Sequence, residues 1–155
     1  NNEGGVAQAV NKAVGVANSR WFVYMGSVDT YIYDPRWLQY MIGNMSEDDY
    51  DAGYRIAGTL IPGPSYPTSE RDVYVQGAVF IAFTDYLKLN PLSLDHPAQG
   101  LDALTSARCQ ELGYQLKHLP RMCSHLGDAT QEWHNDNREV KRFLIAHVSG
   151  LSQYK

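Results

Sequence analysis

Only two cysteines, Cys109 and Cys123, occur in the 155 residues. That is too few for the disulfide framework of a small secreted domain, which uses four or more in a shorter chain. A single Cys109–Cys123 bridge stays open, but the expectation is two buried, inert thiols in a reduced, soluble, intracellular chain. No apolar run approaches the roughly 18 residues of a membrane-spanning helix, so no membrane span is expected. No basic, apolar, small-residue leader is visible either, although the chain starts at Asn1 rather than Met and its destination stays open. Positive charge is also in short supply: the formal net charge is −4, whereas binding to a bare phosphate backbone needs clustered Lys and Arg. Missing too are the phosphate loop, the dinucleotide glycine pattern, the G-x-S-x-G elbow and the H-E-x-x-H helix. Their absence removes several common enzyme classes.

What is present is enough for a core. With 44% apolar and 19% charged residues the chain is too apolar to stay unfolded, and its length fits one domain, residues 1–155. Charge is uneven. Residues 1–77 hold five basic and nine acidic side chains; residues 78–155 hold eight of each and all five histidines. The first half is therefore acidic, and the second turns positive below about pH 6.5, where free imidazole protonates.

Hydrophobic spacing predicts helices. Val6, Val10, Ala13, Val14, Ala17 and Trp21 recur at offsets of three or four. A short extended segment is expected near 28–33. Asp34-Pro35 reads as a cap and first turn leading into Trp37, Leu38 and Met41. Ser46 and Asp49 have capping-box spacing ahead of Tyr50, Tyr54, Ala57 and Ile61. The proline-rich loop at 62–67 then breaks the chain. A helix through Val73, Phe80, Phe83 and Leu87 is preferred over a buried strand for VYVQGAVFIAF, on length and on the cap at Thr68 or Ser69. A leucine stripe from Leu101 to Leu119 predicts one long helix ended by Pro120, and a last helix runs from Asp128 to Gly150. The expected fold is thus all-α, five or six helices in a compact bundle or orthogonal array.

The densest cluster of reactive side chains is His118, Cys123 and His125. Cys109 would complete a set of zinc-type ligands, but the spacing matches no zinc motif, and on a continuous helix Cys109 sits about 14 Å from His118. No metal and no cofactor are therefore expected. His118, Cys123 and His125 remain weak candidates for nucleophilic catalysis. The polar run EWHNDNREVKR reads as a solvated helix face.

Aromatic residues stand out more. Nine of the eleven tyrosines precede residue 90, and tyrosine and tryptophan are enriched where proteins meet. Trp21, Tyr24, Tyr31, Tyr33, Trp37, Tyr40 and Tyr66 are the expected interface, with Arg20, Arg36 and Arg55 near enough in sequence to stack on rings. The leading expectation is a non-enzymatic interaction or assembly subunit, binding itself or another protein. The alternative is a small enzyme or metal-binding protein built on the second half. A minor variant coats nucleic acid through Arg108, Arg121, Arg138 and Arg142.

Overall fold

In a computed structural model of the protein the described residues are 5–26, 30–32, 34–62, 73–94, 101–120 and 123–125. They form a mixed α/β fold, not a helical bundle. Helix α1 (Gly5–Val16) leads to strands β1 (Trp21–Met25) and β2 (Thr30–Ile32), then to the short helices α2 (Trp37–Gly43) and α3 (Glu47–Asp51). Two long strands follow, β3 (Tyr54–Pro62) and β4 (Val73–Phe83), then α4 (Thr84–Leu89), α5 (Leu101–Glu111), β5 (Gln115–His118) and β6 (Cys123–His125). The main sheet has the order β1-β4-β3-β5, antiparallel except for the parallel β3–β5 pair. β2 and β6 form a separate antiparallel pair.

The helical expectation fails first at VYVQGAVFIAF. Val79, Phe80, Ile81, Ala82 and Phe83 are all buried, and successive residues of a strand face opposite sides of its sheet. Both faces are covered, so the strand has no alternation to betray it. α5 packs across β4, β5 and β3, while Tyr50 of α3 sets its ring edge-on to Phe83, with centroids 4.9 Å apart. Burying a side chain such as Phe83 or Ile81 completely contributes roughly 2–3 kcal/mol. These central strands are the core.

Two glycines account for the other shortened helices. The Ser46–Asp49 capping box forms as its spacing indicates: the Ser46 hydroxyl accepts from Asp49 N, and the Asp49 carboxylate accepts from Ser46 N. The helix it opens nevertheless stops at Asp51, because Gly53 takes φ +93° and turns the chain into β3. Gly113 does the same at φ +81° between α5 and β5, and a left-handed residue of this kind ends a helix. The Leu101–Leu119 stripe is therefore split. Leu112 and Arg108 are exposed; the face of α5 that meets the sheet is Thr105, Ser106, Ala107 and Cys109. Small side chains let α5 approach closely enough for the Ser106 hydroxyl to accept from Val75 N at 3.0 Å.

Other expectations hold in part. α1 buries Ala7, Val10 and Val14, but it ends at Val16, and Trp21 begins a strand. The extended segment near 28–33 includes β2. Asp34 does not cap α2: its carboxylate accepts from Arg36 N and pairs with the Arg36 guanidinium, and the helix starts at Trp37. The 62–67 loop beyond Pro62 and the predicted helix from Asp128 to Gly150 lie outside the described residues.

Candidate functional site

The sequence-predicted chemical cluster is divided between two sheets. His118 ends β5, in register with Gly58, whereas Cys123 and His125 lie on β6 opposite Ile32 and Thr30 of β2. His118 is not at a helix terminus, and its imidazole Nδ1 accepts from Leu60 N at 3.2 Å. Cys109 is a free, fully buried thiol. Burial pushes it up to about 12, against the opposing pull of a hydrogen bond with Tyr86 and of the Arg55 charge, so it stays protonated and inert. Among the described residues no three His, Cys, Asp or Glu side chains gather as a metal site.

The aromatic residues divide differently. Trp21 is half-buried, with its indole Nε1–H donating to Met45 O at 2.7 Å. Tyr24 leans on Phe80 at 5.0 Å between centroids; burial and the nearby Asp102 carboxylate raise its phenol. Tyr31 lies on β2 opposite Ser124, and Tyr33 and Tyr66 fall outside the described residues. Trp37 packs on the core from α2, while Tyr40 on the same helix is exposed. Of the four arginines proposed for nucleic acid, Arg108 is on the exposed side of α5 and pairs with Glu111 at 3.5 Å. Arg121, Arg138 and Arg142 are outside the described residues.

The densest charged cluster surrounds Tyr50. The Arg55 guanidinium is buried 3.8 Å from the Tyr50 centroid and 4.3 Å from that of Tyr114, and Nη1 donates to the carbonyls of Tyr50 and Tyr54 at 2.7 and 2.8 Å. Arg20 stacks on the same Tyr50 ring at 4.5 Å, meets Phe83 at 4.9 Å, and pairs with Glu47 and, at 3.6 Å, with Asp85. The Tyr50 hydroxyl donates to Asp85 Oδ2 at 2.9 Å. This hydrogen bond, with burial and the Asp85 charge behind it, raises the phenol against the pull of the two arginines. Arg20 and Arg55 thus stack as their sequence proximity suggested, but Arg36 pairs with Asp34 instead. The convergence of Arg20, Tyr50, Arg55, Asp85 and Tyr114 was not legible, because they come from four separate stretches of chain. Chemically most of the cluster is engaged, with phenol held protonated, carboxylates paired and Arg55 held by rings and carbonyls, while the buried Arg20 Nε has no hydrogen-bond partner. It offers no free base and no free nucleophile.

Beside α2, Ile32, Trp37, Met41, Gly58, Thr59, Val79 and Pro120 line a cavity of about 10 Å³, room for about one water molecule. No substrate fits there. α2 itself has the sequence WLQYMIG, apolar at five of seven positions. Met41 is buried, Trp37 and Ile42 are half-buried against the core, and Leu38 and Tyr40 are 41% and 40% exposed. A helix that is hydrophobic all round is ordinarily covered all round. No protein-family model and no curated protein matches the chain.

Proposed function

We propose that this domain is a non-enzymatic interaction and assembly module, and that it associates with a second copy of itself through α2. The observation that carries this reading is the apolar circumference of α2 combined with cover on one side only. Leu38 and Tyr40, two positions apart and so on opposite flanks of the helix, both stand partly in water beside the buried Met41, and large apolar side chains exposed on both flanks favour a contact surface. Charge gives the reason for a second copy. Asp48 and Asp51, exposed on the neighbouring α3, belong to the acidic half, and the histidine-bearing half, balanced in charge until its histidines protonate, is the less repulsive face for a head-to-tail contact.

The rival reading, a small enzyme or metal-binding protein using His118, Cys123 and His125, gains less support. His118 is engaged with Leu60 N, and the other two lie on a different sheet. The nucleic-acid variant rests on Arg108 among the described residues, and that guanidinium already has a carboxylate.

Sedimentation velocity over a hundredfold concentration range tests the proposal. The wild-type sedimentation coefficient is expected to rise with concentration. The Leu38→Glu, Tyr40→Glu double variant is expected to stay monomeric with an unchanged circular dichroism spectrum. A wild type that remains monomeric throughout, or a folded variant that assembles equally well, rejects it.

A further inference from the structure

We infer that His118 is a proton-operated latch on the β3–β5 ladder, tying the Leu60 end of β3 to β5 when its imidazole is neutral and releasing it from β5, though not from β4, when it is protonated. Gly58 and His118 are in register, and Leu119 N donates to Gly58 O at 2.8 Å, but β3 is irregular between Gly58 and Leu60. The Leu60 amide then donates not to a backbone carbonyl of β5 but to the His118 side chain, with Nδ1 accepting at 3.2 Å. Such a bond requires the tautomer that carries its hydrogen on Nε2 and leaves a lone pair on Nδ1. Adding a proton converts Nδ1 into a donor. Two N–H groups then face one another, and the bond is replaced by a repulsion.

His118 is exposed, so a proton reaches it without unfolding the domain. The charged groups on the neighbouring elements are engaged elsewhere. Lys117 turns to the opposite side of β5 and binds Asp49 at 2.5 Å. On β3, Arg55 is at the other end, between Tyr50 and Tyr114. On α5, Arg108 pairs with Glu111, and the Asp102 carboxylate accepts from Gly77 N. On α2, Arg36 at the N-terminus is paired with Asp34. Among the described residues no carboxylate forms an ion pair with His118.

Its position gives it reach. Leu60 is two residues from Pro62, where β3 ends, and Gly58, Thr59 and Pro120 line the cavity beneath Trp37 and Met41 of α2. A latch at this point couples proton concentration to the seat of α2. The inference does not rest on assembly through that helix, because it is read at one backbone amide.

The test is hydrogen exchange at the Leu60 amide, followed by ¹⁵N-resolved NMR in the full chain at pH 7.5 and 5.5 and corrected for intrinsic exchange. In wild type, protection at Leu60 is expected to fall at least tenfold between the two, while protection at Ile81 in the core is unchanged. His118→Asn presents a side-chain oxygen where Nδ1 sits and cannot titrate. It is expected to keep Leu60 protected at both pH values. His118→Ala is expected to leave Leu60 unprotected at both. Constant protection of wild-type Leu60 across the range, or an equal loss in His118→Asn, overturns the latch.

Discussion

At its Tyr54 end, strand β3 is fixed by many contacts of different kinds, whereas at its Leu60 end the same strand is tied to β5 through a single imidazole. The Tyr54 end has Arg55 clamped between two tyrosine rings and bonded to two carbonyls. It also has Gln115 N donating to Gly53 O at 3.0 Å and Lys117 bound to Asp49. Removing any one of these leaves the others in place. The Leu60 end has the Leu119–Gly58 bond and, beyond it, only the His118 acceptor among the described contacts of β5 with β3. Both ends stay paired with β4, so the difference lies in the β5 edge: redundancy makes one end of that edge fixed, and dependence on one imidazole makes the other responsive.

The comparison can be broken most forcefully at Arg55. Arg55→Ala removes a buried cation from two aromatic faces and takes one donor each from the Tyr50 and Tyr54 carbonyls, of which Tyr50 O keeps the Gly53 amide. A loss of about 3 kcal/mol is expected from the lost ring contacts and hydrogen bonds together, read as a lower urea midpoint. A loss under about 0.5 kcal/mol would mean that the anchor is not where the contacts place it. Asp49→Ala is the next step down. It deletes the capping box and the Lys117 partner, with an expected cost of about 1–2 kcal/mol in the same denaturation experiment.

Acid separates the two ends without mutation. Burial alone raises the Asp49 carboxyl, but the hydrogen bonds from Lys117 and from Ser46, together with the Lys117 charge, outweigh it and hold the group below its usual value. A carboxyl whose folded value is depressed adds stability above its unfolded value, about 3.9, and that stability disappears as pH falls through the folded value. The Tyr54 end is therefore expected to hold until pH falls through that depressed carboxyl value, while the Leu60 amide loses protection between pH 7.5 and 5.5. An exchange profile in which both ends of β3 open together erases the distinction.

The smallest effects on stability are expected at the surface. His118→Asn at pH 7.5 and the Leu38→Glu, Tyr40→Glu pair should each move the unfolding free energy by no more than about 0.5 kcal/mol. The first abolishes the pH response of Leu60, and the second abolishes concentration-dependent sedimentation.

Local signals were readable wherever a few neighbouring residues decide the outcome. The Ser46–Asp49 box, the apolar face of α1 at Val10 and Val14, and the extended segment around Thr30–Ile32 all appear in the structure. VYVQGAVFIAF was misread because burial on two faces removes the alternation that marks a strand. The Leu101–Leu119 stripe was misread because its leucines suggest the buried side. The true contact face of α5, with Thr105, Ser106, Ala107 and Cys109, is small and partly polar, chosen for close approach to β4 rather than for hydrophobic volume. Of the candidate sites, Tyr40 and Trp37 could be named from composition. The division of His118 from Cys123 and His125 could not, because it depends on which strand each joins.

The sequence by itself determined where α3 begins, at its Ser46 cap, which stretches are apolar enough to be core, and that Arg20 and Arg55 lie near aromatic rings. Each of these depends on residues within one or two turns of each other. Only the tertiary structure decided that β3 and β4 are strands, that Tyr50 gathers two arginines and an aspartate, and that an imidazole on β5 completes the bonding of β3. Strand pairing joins residues far apart in the chain, such as Leu60 and His118, and nothing local in either segment specifies the partner.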